Sequence, residues 1–147
     1  MIKSLFTGDK SRHDGVAPIN IYLMRLVYTL MLVFLGKDSW TYILTHTGEW
    51  VPLDAMAWSL WAAFATLGLL GILQPVRMLP ILLLEVFYKI LWLALVAYPL
   101  WAHDKLAGSH AEGMAYAFAW VVLPVIAIPW PYVVRVFLFG SRSRPGL

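Results

Sequence analysis

The stretch RMLPILLLEVFYKILWLALVAYPLW, from Arg77 to Trp101, carries two opposite charges, Glu85 and Lys89, inside an otherwise apolar run. A helix needs roughly 20 residues to cross a hydrocarbon core of ~30 Å, and this run supplies them from Leu79 onward. Both charges therefore lie well below the interface. At the centre of a span each costs about 2.5 to 3.5 kcal/mol on insertion scales, so such groups face a partner or a wet cavity. Glu85 and Lys89 stand four residues apart on one helical face, the acid first, which is the better order for an ion pair along a helix. Either the pair neutralises itself and fixes the rotation of its helix, or it lines a site.

Composition decides what surrounds this run. With 61% hydrophobic and 13% charged residues, against ~45–50% and ~25% in soluble chains, the expected class is an all-α integral membrane protein. Its 147 residues leave room for one domain. Without cysteine there is no disulfide, thiol relay or thiolate-held metal. No basic, aromatic-interleaved patch points to nucleic acid.

Four apolar runs predict four transmembrane helices over residues 18–36, 55–73, 79–101 and 114–134. Residues 1–17 form a polar tail with no small-residue cleavage site after the first run, so a cleaved signal peptide is not expected. Residues 140–147 form a basic tail. Between the first two spans, Trp40, Tyr42 and Trp50 mix with polar groups, predicting a short interfacial helix around Ser39–Leu44 in the first outer loop. Asp54 is placed to cap the second span. Pro75 and Pro80 sharpen the next connection into an antiparallel hairpin, while Pro124, Pro129 and Pro131 should kink or end the fourth span. Ser59 with Ala63, Ala62 with Thr66, and Ala115 with Ala119 are small-residue pairs that admit a neighbouring helix. Trp40, Trp50, Trp58, Trp61, Trp101 and Trp130 fall where an interfacial belt is expected.

Four spans put both tails on one side. Lys3, Lys10, Arg12, Arg77, Arg135, Arg142 and Arg144 lie there, against Lys37 and Lys105 opposite. Basic residues concentrate on the cytoplasmic side, so the N- and C-termini are expected in the cytoplasm.

The other two basic residues, Arg25 and Lys89, are intramembrane. At ~1.5 Å per residue, Arg25 and Glu85 both come roughly 10 Å in from the same side, with Thr66 level with them and Tyr28 level with Lys89. Arg25, Glu85 and Lys89, flanked by Tyr22, Tyr28, Thr66 and Tyr88, are thus expected to converge in a polar cluster opening toward the cytoplasmic half. Fully ionised, it carries one net positive charge, suited to an anionic group or a quinone oxygen on a lipophilic molecule. The alternative is a structural lock in which Glu85 binds Arg25 and no ligand enters. In the outer loops, His46, His103 and His110 accompany several carboxylates, but no pair has the helical i, i+4 spacing of a metal site. No metal is assigned, and no nucleophile and base arrangement points to an enzyme.

The intramembrane Arg25 followed by LVFLGK at residues 32–37, and GLLGIL followed by Arg77, resemble the DoxX-like group of small bacterial membrane proteins. The resemblance covers the first half of the chain. It implies a bacterial inner-membrane protein, and a place as a small subunit of a quinone-linked redox system, as in some members. Glu85 and Lys89 are not part of that pattern, and no catalytic residue carries over. Two further roles stay open: a structural accessory subunit meeting partner helices, and a proton-coupled carrier acting as a homo-oligomer.

Overall fold

The computed structural model describes residues 13–140, which are helical with no strand among them. Three helices are long and apolar enough to cross a membrane: α1 (Pro18–Thr45), α2 (Pro52–Leu73) and α3 (Leu79–Ala102). At ~1.5 Å per residue even the shortest of them reaches roughly 33 Å. Two more, α4 (Glu112–Ala127) and α5 (Trp130–Leu138), meet at a bend of 72° and make a further crossing only if taken together as one broken span. Pro18, Pro52 and Pro80 sit in the first turns of α1, α2 and α3. A missing N–H is harmless there, because first-turn N–H groups have no partner within the helix.

The first helix is longer than its apolar run. No interruption occurs at Gly36; residues 39–44, expected as a separate interfacial helix, are the closing turns of α1. The backbone widens into a π-helical stretch over Met31–Gly36 instead of breaking. The buried hydroxyl of Ser39 then donates to the carbonyls of Leu35 and Gly36. Asp54 is likewise inside α2 rather than at its cap, since that helix starts two residues earlier at Pro52.

Close packing of α1 on α2 depends on small residues. Ala62, Ala65, Gly68 and Gly71 are buried along α2, whereas Ser59, Ala63 and Thr66 of the expected pairs are exposed. A Cβ on Gly71 would clash with the ring atoms of Tyr28, and one on Gly68 would come within 3.3 Å of the Tyr28 carbonyl oxygen. The bulk of Tyr28 therefore selects which small-residue stripe forms the seam.

The break between α4 and α5 follows from its prolines. Pro129 and Pro131 have no N–H to offer the carbonyls of Val125 and Ala127, four residues earlier. Substitutes come from side chains: the Trp130 indole donates to the Val125 oxygen at 2.8 Å, and the Asn20 amide of α1 donates to the Ala127 oxygen at 3.0 Å. The bend is thus pinned to α1.

Around the interior, α1 packs on α2 and on α4, and α3 meets α2 and α4, so α1 and α3 stand diagonally across from each other. Packing is uneven along the helices. Met24, Tyr28, Leu79, Leu82 and Ile128 are almost wholly buried near the α2–α3 connection at residues 74–78, where the Tyr28 hydroxyl donates to the Pro75 carbonyl at 3.5 Å. This is the connection end. The opposite, loop end is bordered by residues 46–51 and 103–111.

Candidate functional site

The helices border a half-open cavity of about 820 Å³ with walls from α1, α2, α3 and α4. That is within the range of roughly 300–1,000 Å³ typical of small-molecule pockets. Its lining is mostly aliphatic and aromatic, with Phe34 of α1, Trp58 and Trp61 of α2, and Phe118 of α4 among the large side chains. The ionisable groups on it are Asp38, Glu85 and Lys89, with the Tyr88 phenol beside them.

Glu85 is the most buried of these, at 3% exposure. One of its oxygens, Oε1, accepts from Lys89 Nζ at 2.6 Å, the i, i+4 contact anticipated from the spacing. Its other oxygen, Oε2, is out of solvent and has no hydrogen-bond partner. A buried acceptor left unpaired costs about 1–3 kcal/mol, and more for a charged group. Lys89, with a side chain 15% exposed, has three N–H groups and gives one to Glu85. Its ammonium also lies 5.7 Å from the centre of the Phe118 ring.

An aromatic stack holds this corner in place. The Tyr88 ring lies parallel to Phe64 at 5.7 Å and edge-on to Phe118 at 5.5 Å, and Trp92 meets Phe118 from the other side at 5.0 Å. These contacts lock α3 against α2 and α4 at the level of the ion pair. On the cavity's α2 wall, Trp58 stacks on Tyr42 at 4.1 Å and meets Trp61 edge-on at 5.0 Å. Offset and edge-on aromatic pairs contribute about 0.5–1.5 kcal/mol beyond their burial.

Of the seven residues expected to converge, the structure brings three together on the cavity: Glu85, Lys89 and Tyr88. Arg25 does not reach Glu85. The ion pair found among the described residues joins Glu85 to Lys89 alone, and the buried Nε of Arg25 has no partner. Equal depth along two helices says nothing about facing, and α1 and α3 are diagonal. Tyr28 is buried in the connection-end core, Tyr22 is 61% exposed on the outer surface of α1, and neither lines the cavity. Thr66 points outward, donating to the Ala62 carbonyl and accepting from the Trp40 indole at 3.1 Å. The cavity also runs the other way from expectation. Its lining climbs from Glu85 to Asp38, Trp58 and Met114 at the loop end, while the packed core closes the connection end.

Sequence reasoning missed Asp38 and the cavity tryptophans. A first span that ends at Gly36 leaves Asp38 in the outer loop, and an interfacial belt takes up Trp58 and Trp61. The signal for Asp38 is the absence of proline after Gly36, which lets the helix continue through Lys37, Asp38 and Ser39. Of the loop histidines, His46 stacks on Trp50 at 3.7 Å. No group of three or more His, Asp or Glu side chains among the described residues is placed to hold a metal ion.

Comparison with protein-family models, with curated proteins and with solved structures finds no match to this chain.

Proposed function

We propose that the protein is a four-span bundle of a bacterial inner membrane, α4 and α5 together forming the fourth span, with its basic tails cytoplasmic. Its cavity binds a lipophilic small molecule whose polar head reaches Glu85 and Lys89. The observation that carries this reading is Glu85, 3% exposed and on the lining of a half-open apolar cleft of about 820 Å³, with its Oε2 unpartnered. A carboxylate oxygen out of water needs a donor. A ligand head supplies one, while the remaining N–H groups of Lys89 are free to meet an acceptor on the same head. A quinone-like ring, with oxygens that accept when oxidised and donate when reduced, has the matching chemistry. It also agrees with the resemblance to the DoxX-like group. The anionic preference inferred from the sequence depended on Arg25, which is not on the lining.

A second reading has one observation in its favour. The 2.6 Å contact between Lys89 and Glu85 is what a self-neutralising lock requires, in a structural accessory subunit with no ligand of its own. That reading leaves Oε2 without a role.

The two separate under gentle extraction followed by mass spectrometry of retained small molecules. A cavity ligand is expected to co-purify with the wild-type protein and to be lost from Ala117→Phe, which adds bulk to the cavity lining. Retention of bulk lipid alone in both, with partner proteins co-purifying, would support the accessory subunit instead.

A further inference from the structure

We infer that the cavity selects a lipophilic monocation, an ammonium or similar head bearing at least one N–H on an apolar or aromatic body. This rests on the proposed reading of the cavity as a ligand site and puts a cationic head there in place of the quinone-like ring.

Charge is the first argument. Asp38 and Glu85 bring two carboxylates to the lining, Lys89 brings one ammonium, and the lining therefore carries one net negative charge. Arg25, the other intramembrane cation, is outside it. A monovalent cation neutralises the site, whereas a carboxylate or phosphate would double its charge.

Hydrogen bonding is the second. Lys89 occupies Glu85 Oε1 and leaves Oε2 empty. A buried carboxylate oxygen is an acceptor, and it calls for a donor. An N–H on a cation makes a charge-assisted bond there, roughly twice as strong as a neutral one. A head with only acceptors has nothing to give Oε2.

The walls are the third. Phe34, Trp58, Trp61 and Phe118 present aromatic surface to the cavity. Ring faces attract cations, tryptophan most strongly, by ~0.5–2 kcal/mol according to desolvation. Phe118 already plays this part toward Lys89. The same walls accept the apolar body of the ligand, which enters from the loop end past Asp38, the first carboxylate on its route.

Three probes with one tail decide the matter: 4-phenylbutylammonium, 4-phenylbutanol and 4-phenylbutyrate. Each is titrated by equilibrium dialysis against the full chain in nanodiscs, with empty nanodiscs subtracting partition into lipid. The ammonium is expected to bind about tenfold more tightly than the alcohol, a difference on the scale of one charge-assisted bond with cation–π support, and the butyrate most weakly. Glu85→Gln should abolish the preference. Asp38→Asn, at an exposed position, should reduce it about threefold. An alcohol that binds as tightly as the ammonium, or a butyrate that binds best, overturns the monocation and leaves the ligand cavity standing. No probe binding above empty nanodiscs overturns both. Should Glu85→Gln fail to fold, an unchanged ammonium preference in Asp38→Asn overturns the inference.

Discussion

The connection end and the loop end of this molecule are built from the same four helical walls and differ in how they are filled. At the connection end, Tyr28 lies against Gly71, Leu79 and Leu82 are buried, and Asn20 pins the broken helix through the Ala127 carbonyl. At the loop end the large side chains stack along the walls and leave the centre open. Glu85 and Lys89 sit at the border between the two. The difference shows where each kind of stability comes from: shape complementarity holds one end, while aromatic pairs hold the other and leave room for a ligand. A charge pair at the border touches dry protein on one side and a cavity on the other, so it is the place where the comparison breaks most easily.

The largest effect is expected from Lys89→Met, which strands the Glu85 carboxylate against the packed end. Removing one partner of a buried pair costs about 3–5 kcal/mol, and the lower value applies because Lys89 retains some exposure. Adding Glu85→Gln to Lys89→Met should recover most of that loss. Thermal unfolding in detergent measures both, and a Lys89→Met protein as stable as wild type would mean that the carboxylate is solvated from the cavity.

Next comes a paired enlargement, one at each end. Gly71→Ala adds a methyl where the Tyr28 ring already stands, and overpacking of this kind costs about 1–3 kcal/mol. Ala117→Val adds bulk to the cavity wall and should stay within about 0.5 kcal/mol of wild type. Equal losses at the two positions would mean that the loop end is packed as tightly as the connection end.

Much of this contrast was legible in the residues, and what escaped did so for identifiable reasons. Apolar runs long enough to cross a bilayer mark α1, α2 and α3, and the spacing of Glu85 and Lys89 foretells their bond, because both depend on positions along one helix. The pairing of Arg25 with Glu85 required knowing which way two helices face. Rise along an axis gives depth and not direction, so residues at one level need not be neighbours. The continuation of α1 to Thr45 turns on a π-helical stretch and one serine hydroxyl, neither of which has a periodic signature. The seam along Ala62, Ala65, Gly68 and Gly71 competed with other small-residue stripes on α2, and the choice was made by a tyrosine on a different helix. A cavity is an absence of packing, and no residue type announces one.

The smallest effect sharpens the comparison from the packed side. Asn20 donates from the first turn of α1 to a carbonyl that Pro131 leaves without a backbone N–H. Asn20→Ala should cost about 1 kcal/mol, the usual worth of one such bond. Asn20→Asp should cost more, because an ionised carboxylate offers no donor and sets two acceptors against each other. The bond lies at the connection end, away from the lining, so neither variant should alter binding of a cavity probe once the protein is folded. If Asn20→Ala weakened probe binding as much as stability, the broken helix would be transmitting its bend to the α4 wall of the cavity, and the two ends would be one mechanical unit.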